Sequence, residues 1–317
     1  MRILHLSDLH ICSKNRSENT EHFERLVNFG LNENMDHIII TGDITHNADP
    51  KDLETVRNIL DSYDLLDSSK LTLVIGNHDI FGGVHLAEDI LDFPERCALT
   101  NYQQKIREFK YYFYEAFENI FSPDPKNIYP FAKQIDGILF VGINSIAKYS
   151  KVKNLFASKG IVNKTQINDL IKIFDKYSDD DLKKVILTHH HFSKHYAKFD
   201  QAKKTFLQNI EGRAMRLRKK KRLMEVFSKY EVDLILHGHL HESIDYWKNN
   251  LHFVNAGGCI DGNKPNELKA NLIDIQQDNI EIDIRSISCP ERQFIHRNPA
   301  KRLKKPKPLH NSLAFSS

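Results

Sequence analysis

The chain has 317 residues, of which 40% are hydrophobic and 27% are charged. This composition is typical of a soluble globular protein and excludes a disordered or a membrane-spanning chain. The net charge is +3, but segments 213–222 and 297–307 carry thirteen Lys and Arg residues and no acid, so the rest of the chain has a net charge of −10. We expect these two segments to be either contact surfaces for an anionic membrane or nucleic acid, or plain solvated surface.

The chain begins "MRILHLSDLHI", in which the apolar run is too short for a signal peptide. No later run is long enough to span a bilayer. The four cysteines form no CxxC pair, which is typical of free thiols in a reducing compartment. They are Cys12, Cys97, Cys259 and Cys289. The sequence therefore predicts a cytoplasmic protein, which its basic segments would allow to bind peripherally at a membrane.

Six apolar, β-branched runs follow one another along the chain, and each ends in polar residues. They are "ILHLSD", "HIIITGD", "LTLVIGNHD", "ILFVGINS", "KVILTHHH" and "DLILHGHLH". Such runs indicate strands buried on both faces, and helical patterns lie between several of them. This alternation predicts an α/β fold. After Gly258, two strand-like runs flank "QQDN" and predict an antiparallel hairpin at a sheet edge.

Residues 81–130 form an aromatic-rich insertion between the third and fourth runs. Apolar residues recur there at helical spacing from Tyr102 to Ile120, which predicts an amphipathic helix that packs on the core or caps a cleft. Further on, "RAMRLRKKKRLMEVF" predicts a basic amphipathic helix. Residues 291–317 are rich in Pro and Lys and predict a basic flexible tail.

The polar residues at the six strand ends indicate a common site. Ligands bind at the carboxyl ends of strands in open α/β sheets. The donors there are Asp8, His10, Asp43, Asn77, His78, Asn144, His189, His190, His191, His239 and His241. Each has an ordinary structural explanation alone, and only their joint occurrence indicates a site. Residues i and i+2 of an extended chain share a side, so "DLH" and "HLH" can each direct two side chains at a metal.

The donor types indicate which metals would bind. Without a thiolate, a structural zinc site is disfavoured. A mixture of carboxylate, amide and imidazole suits Mn, Fe, Co, Ni or Zn in a catalytic site.

The ordered motifs "DLH", "GD", "GNHD", "THH" and "GHLH" resemble those of the calcineurin-like metallophosphoesterase family, in particular its compact bacterial-type phosphodiesterases. The similarity spans residues 1–290, which we expect to form one domain. The resemblance implies a two-sheet α/β/β/α sandwich with helical insertions and a dinuclear metal centre. It implies that one metal is bound by Asp8, His10 and His241, that the other is bound by Asn77, His189 and His239, and that Asp43 bridges them.

The resemblance also implies the reaction. A hydroxide that bridges the two metals would attack the phosphorus of a small phosphodiester or nucleotide, with Mn as the expected ion in vitro. His78 would protonate the leaving oxygen or stabilise the phosphoryl charge, and Asp79 would hold its imidazole in the useful tautomer. Gly76 would let the backbone approach the site closely.

Several alternatives remain open at this point. The run "HHHFSKH" lacks the prolines that often follow the family's paired histidines, so His190 is an alternative to His189 as ligand, and residues 191–227 are expected to hold a lid together with the basic helix. Other members of the family suggest a UDP-diacylglucosamine-type pyrophosphatase at the membrane surface or a DNA nuclease. A non-catalytic metal-binding scaffold is a further alternative. We interpret the remaining nearby histidines as structural, namely His5, His37, His46 and His237. The sequence makes no prediction of the oligomeric state.

Overall fold

The fold is seen in a computed structural model that describes residues 1–84, 89–178, 181–192, 217–260 and 267–289. The expected tail (291–317) and residues 193–216 of the expected lid and basic helix (191–227) lie outside these residues. The basic helix is expected to include residues 217–220, but Leu217–Arg218 form a strand and the helix begins at Lys221. The strands are β1 (Arg2–Leu6), β2 (His37–Thr41), β3 (Leu71–Val74), β4 (Phe131–Ile135), β5 (Ile138–Gly142), β6 (Gly160–Ile161), β7 (Lys183–Leu187), β8 (Leu217–Arg218), β9 (Leu234–His237), β10 (Ser243–Lys248), β11 (Leu251–Ala256), β12 (Glu267–Ile275) and β13 (Ile280–Ser288). The α-helices are α1 (Ser17–Asn32), α2 (Pro50–Ser62), α3 (His78–Phe81), α4 (Asp89–Leu99), α5 (Tyr102–Tyr112), α6 (Lys164–Lys176) and α7 (Lys221–Lys229).

The strands form two main sheets and one short pair. The first sheet has the order β13-β12-β1-β2-β3, the second the order β10-β11-β9-β7-β5-β4, and β6 pairs with β8. The six apolar runs are confirmed as strands β1, β2, β3, β5, β7 and β9, three in each sheet, and neighbouring members run parallel. The hairpin after Gly258 is confirmed as β12 and β13. Strand β12 pairs antiparallel with β1, and β13 is the edge strand of the first sheet.

The second sheet buries both of its faces, which explains its continuous apolar runs. In β7, Val185 and Leu187 belong to the hydrophobic core shared with the first sheet, whereas Ile186 packs with the helices α6 and α7 on the other side. Successive side chains of a strand point to opposite faces, so such a strand needs apolar residues at every position. Helices α1 and α2 contribute Phe23 and Val56 to the shared core. The expected α/β/β/α sandwich is thereby confirmed.

The aromatic insertion forms a helix that packs on the core, as expected, but the helix is shorter than the pattern suggested. Helix α5 begins after Asn101, whose side chain accepts from the amide of Gln104. It ends at Tyr112, and a short 3-10 helix follows (Tyr114–Phe117). The four consecutive aromatic residues after Lys110 have poor helix propensity, which favours an early end. Among the described helices, none is long and apolar enough to cross a membrane.

Candidate metal centre

The loops after β1 and β2 run side by side, which brings their polar residues together. The amide of Asp8 donates to the carbonyl of Gly42, and the amide of His10 donates to the carbonyl of Asp43, each at 3.0 Å. Asp8, His10 and Asp43 all have left-handed backbone conformations, with φ of 56°, 47° and 51°. Non-glycine residues rarely adopt this conformation, and such strain clusters at functional sites. His239 in the other sheet shares it, with φ of 70°.

Glycines allow these loops to approach one another. A Cβ atom on Gly76 would lie 2.1 Å from both the backbone N and the Oδ1 of Asp43. A Cβ atom on Gly238 would lie 1.8 Å from Ser7 Oγ and 2.6 Å from Asp8 Oδ2. Both contacts are far closer than any side chain permits, so the "GNHD" and "GHLH" motifs need glycine for close backbone approach, as expected for Gly76.

His189 lies at the middle of one group of donors. Its Nε2 atom is 3.1 Å from Asn77 Oδ1, 3.2 Å from Asp43 Oδ2 and 2.9 Å from His239 Nδ1. Its other nitrogen, Nδ1, contacts the carbonyl oxygen of Thr41 at 2.8 Å, which fixes the ring. Asp8 completes this group, which is buried and could hold a metal ion. The donors come from both sheets. The contact between His189, after β7 of the second sheet, and Thr41, at the end of β2 of the first, joins residues 148 positions apart in sequence.

A second group lies beside the first and shares Asp8 with it. Asp8, His10 and His241 can offer ligand atoms that all lie within 4.8 Å of one another. The Nε2 atom of His241 is 4.0 Å from Asp8 Oδ1, and the His241 side chain is 44% exposed, so this group borders solvent. Asp8 thus belongs to both groups, whereas Asp43 lies in the first only. The structure therefore brings together all seven residues expected as ligands, in two adjoining groups.

His78 lies at the edge of these groups. Its backbone amide donates to Asp43 Oδ1 at 2.8 Å, and its Nδ1 contacts the carbonyl oxygen of His46 at 3.1 Å. The His78 and His10 rings are edge to face, with centroids 4.6 Å apart. His46 forms a third possible metal-binding group with His10 and His78. Sequence reasoning assigned His46 a structural role. Its position three residues after Asp43 was the signal that could have placed it here.

Asp79 does not hold the His78 imidazole, and the expected role is wrong in this respect. Its Oδ1 accepts from the amide and hydroxyl of Thr45, at 2.8 and 3.2 Å, and its Oδ2 accepts from the amide of Gly76 at 2.9 Å. His78 and Asp79 are the first two residues of α3, and successive side chains of a helix point about 100° apart. The Asp79 carboxylate therefore points into the protein and away from the His78 ring. Asp79 instead joins the loop after β2 to the loop after β3.

His190, the alternative to His189, lies outside the groups described above. Its Nδ1 contacts Ser145 Oγ at 2.8 Å and its Nε2 contacts the carbonyl oxygen of Ser158 at 3.1 Å. Both nitrogens are therefore occupied. Asn144, another strand-end donor, donates from its amide nitrogen to the Tyr102 hydroxyl at 3.0 Å, away from the metal-binding groups.

The histidines interpreted as structural, other than His46, form hydrogen bonds elsewhere. His5 Nε2 contacts Thr41 Oγ1 at 3.0 Å, and His237 Nε2 contacts the Tyr246 hydroxyl at 3.0 Å. His37 contacts the Ser69 carbonyl and the Thr72 hydroxyl.

Burial and neighbouring charges set the protonation of the site. Burial lowers the pKa of both His10 and His239 well below the usual value, so these rings are neutral, the form that binds metals. Burial also lowers the pKa of His189, but the adjacent Asp43 carboxylate outweighs it and raises the pKa to about 9. Burial and the Asp43 charge together raise the pKa of Asp79 to about 6.

Comparison with known proteins identifies the family of this fold. A family model described as calcineurin-like phosphoesterase matches residues 1–243. A dimetal phosphatase from Danio rerio superposes with a TM-score of 0.57 at 12% identity, over 91% of this chain and 99% of that one. A purple acid phosphatase from yellow lupin (Lupinus luteus) seeds superposes with a TM-score of 0.53 at 13% identity, over 92% of this chain and 52% of that one. At these identities the two structures show the fold alone. No curated protein matches the sequence significantly.

Proposed function

We propose that this chain, a phosphoric ester hydrolase of the calcineurin-like phosphoesterase family, hydrolyses a small phosphodiester or a nucleotide at a dinuclear metal centre. The observation that carries this proposal is the pair of adjoining, largely buried donor groups at the carboxyl ends of both sheets. The proposed ligands are Asp8, His10, Asp43, Asn77, His189, His239 and His241.

The residues of the site fit divalent metal ions. Asp8 Oδ1 and both ring nitrogens of His10 are buried and have no hydrogen-bond partner among the described residues. Leaving such atoms unpaired costs about 1–3 kcal/mol each, and a bound cation would compensate for that cost. Carboxylate, amide and imidazole donors without a thiolate suit Mn, Fe, Co, Ni or Zn. Manganese is the first ion to test.

Asp43 is the proposed bridge between the two ions, as the resemblance implies, and Asp8, the carboxylate common to both donor groups, is the proposed ligand beside it. The Oδ2 of Asp43 faces His189, and its Oδ1 accepts a hydrogen bond from the amide of His78 at the start of α3. A carboxylate has two oxygens and a full negative charge, so it can serve two cations at once. When bound, two divalent ions would activate a water molecule as the nucleophile and offset negative charge on the phosphoryl group.

His78 is the proposed proton donor to the leaving oxygen. A carbonyl oxygen only accepts hydrogen bonds, so the His46 carbonyl keeps a proton on Nδ1 of His78. Nε2 is then the atom that gains and releases a proton during the reaction. The hydrogen bond from the His78 amide to Asp43 fixes this residue relative to the donor groups.

The proposal is tested by hydrolysis of bis(p-nitrophenyl) phosphate and of p-nitrophenyl phosphate after metal removal and reconstitution with Mn. We expect Mn-dependent turnover with preference for the diester, and losses in kcat of at least about 100-fold in both Asp43→Asn and His78→Ala. Asp278→Asn, in the exposed turn between β12 and β13, is the matched control and should retain full activity. Absence of turnover from protein that demonstrably binds Mn would contradict the proposal.

A further inference from the structure

A cleft of about 810 Å³ lies between helix α5 and the segment that connects β5 to α6. The residues proposed to bind metal do not line it. Its apolar and aromatic lining includes Tyr102, Ile106, Tyr129, Ile146 and Tyr149. The volume lies within the range of about 300–1,000 Å³ that is typical of small-molecule sites.

The wall of the cleft and the candidate metal centre are built on neighbouring strands. Strands β5 and β7 are parallel neighbours, with Gly142 opposite Leu187. Two residues further along each strand, Asn144 lines the cleft and His189 enters the metal-binding group. Parallel neighbours are about 4.8 Å apart, so the segments that follow β5 and β7, which carry Asn144 and His189, begin side by side. Tyr102, on the α5 wall of the cleft, has its ring centroid 6.1 Å from that of Phe81, which lies three residues after His78.

Positive charge dominates the cleft. Its cationic lining residues are Arg107, Lys126, Lys148, Lys153 and Lys159. The single carboxylate among the lining residues, that of Asp169, pairs with Lys172 at 2.7 Å. Within the described part of the chain, none of the five cations has a carboxylate oxygen within 4.0 Å. Such a concentration of unneutralised charge attracts anions.

The basic segment 213–222 contributes to this charge where it is described. Strand β8 holds Arg218 opposite Ile161 of β6, and Ile161 lines the cleft. Burial and the neighbouring Arg218 lower the pKa of Lys159. Like charges held close together destabilise a fold, and a bound anion would relieve that repulsion.

The lining also offers groups for the remainder of a ligand. Tyr102 and Tyr149 are half-buried, and the hydroxyl of Tyr149 is a buried polar atom without a hydrogen-bond partner among the described residues. A nucleobase can stack on tyrosine rings, whereas lysine and arginine bind phosphate.

We propose that this cleft binds the nucleoside and further phosphate of a nucleotide substrate while the phosphoryl group to be cleaved lies at the metal centre. The assignment rests on the proposed hydrolase function and names its substrate class as nucleotides with more than one phosphate. A simple phosphodiester without a second anionic group would make no use of the cleft cations.

Binding of ADP to the full chain in EDTA, measured by isothermal titration calorimetry, tests the cleft without any metal. The variant Lys148→Gln/Lys153→Gln removes two exposed cleft cations, and Lys110→Gln/Lys151→Gln removes two exposed lysines from α5 and the same loop that do not line the cleft. We expect ADP binding about tenfold weaker in the first variant and within about twofold of wild type in the second, since each exposed charge contributes modestly. Equal binding by both variants, or no binding by wild type at millimolar ADP, would overturn the proposal.

Two further probes separate the parts of the assignment. Adenosine should bind more weakly than ADP, and pyrophosphate should also bind more weakly than ADP. Pyrophosphate binding as tight as ADP binding would overturn the placement of the nucleoside on the tyrosines. Adenosine binding as tight as ADP binding would overturn the role of the cations.

Kinetics distinguish this proposal from the proposed function. In the Lys148→Gln/Lys153→Gln variant, kcat/KM for bis(p-nitrophenyl) phosphate should stay within about twofold of wild type, whereas KM for ADP should rise about tenfold. Turnover of the diester together with unaltered ADP kinetics in this variant would overturn the proposed role of the cleft and leave the proposed hydrolase function in place. Intact ADP binding in a protein that hydrolyses neither substrate would overturn the hydrolase function and this substrate assignment, leaving only an anion-binding cleft.

Discussion

Replacement of Gly76 by Ala tests whether close backbone approach positions Asp43. The new Cβ atom would lie 2.1 Å from the Asp43 carboxylate and from the Asp43 amide nitrogen, both of which are buried. Nonbonded atoms need about 3 Å, so the carboxylate must move by about 1 Å, and the hydrogen bond from the His78 amide would be strained. Displacement of a catalytic group by about 1 Å costs about 100-fold in rate, equivalent to about 2.7 kcal/mol.

The measured quantities are kcat for bis(p-nitrophenyl) phosphate, bound Mn per chain, and the thermal unfolding midpoint. Gly137→Ala is the matched control, because Gly137 has φ of 77° and a Cβ atom there would meet nothing within 4 Å. The control should lose about 1–2 kcal/mol of stability through backbone strain and keep its activity. Gly76→Ala should lose at least about 100-fold in kcat together with Mn affinity. Full activity and Mn content in Gly76→Ala would refute the reasoning.

Three further predictions concern single side chains. His189→Ala should lose more than about 100-fold in Mn affinity, whereas His190→Gln should bind Mn as wild type does, as measured by equilibrium dialysis with elemental analysis; the reverse result would make His190 the ligand. Asp79→Ala should lower the free energy of unfolding by about 2–4 kcal/mol, because two buried amides lose their acceptor. The shape of the pH profile of kcat should not change. A changed profile would restore the role of Asp79 in fixing the His78 tautomer. Burial lowers the pKa of His37 to about 4, so as pH falls from 6.5 to 4 the unfolded chain binds a proton that the folded chain does not, and His37 costs about 3 kcal/mol of stability at pH 4. In His37→Gln, the loss of unfolding free energy between pH 7 and pH 4, measured with urea, should therefore be smaller by about 3 kcal/mol. An unchanged loss would exclude His37 as its source.

The strands and the polar motifs at their ends could be predicted from the sequence, because each pattern involves only residues close together in the chain. A strand buried on both faces requires an unbroken apolar run, and a polar cluster at its end is conspicuous against that run. The runs before Asp43 and His189 therefore indicated both the strands and the candidate donors. The hairpin of β12 and β13 was readable for the same reason, since its turn residues separate two strand patterns.

The roles of Asp79 and His46 were less accessible, because they depend on where a side chain points and not on its position in a motif. Asp79 follows His78 directly, which suggested a partnership, yet its oxygens accept from Thr45 and Gly76. His46 looked like an ordinary buried histidine until its carbonyl and ring were placed against His78. Hydrogen-bond geometry of this kind follows from backbone torsions that residue spacing does not specify.

The alternation of strands and helices, the donor types and the glycine of the "GNHD" motif could be identified in the amino-acid sequence, since each depends on residues close together in the chain. The meeting of Asp43 and Asn77 of one sheet with His189 and His239 of the other follows from the packing of the two sheets, which depends on contacts between residues more than a hundred positions apart. The same packing selected His189 over His190, whose ring turns to Ser145 and Ser158. It also set the segment that lines the cationic cleft beside the segment that carries His189, through the pairing of β5 with β7, which local periodicity does not encode.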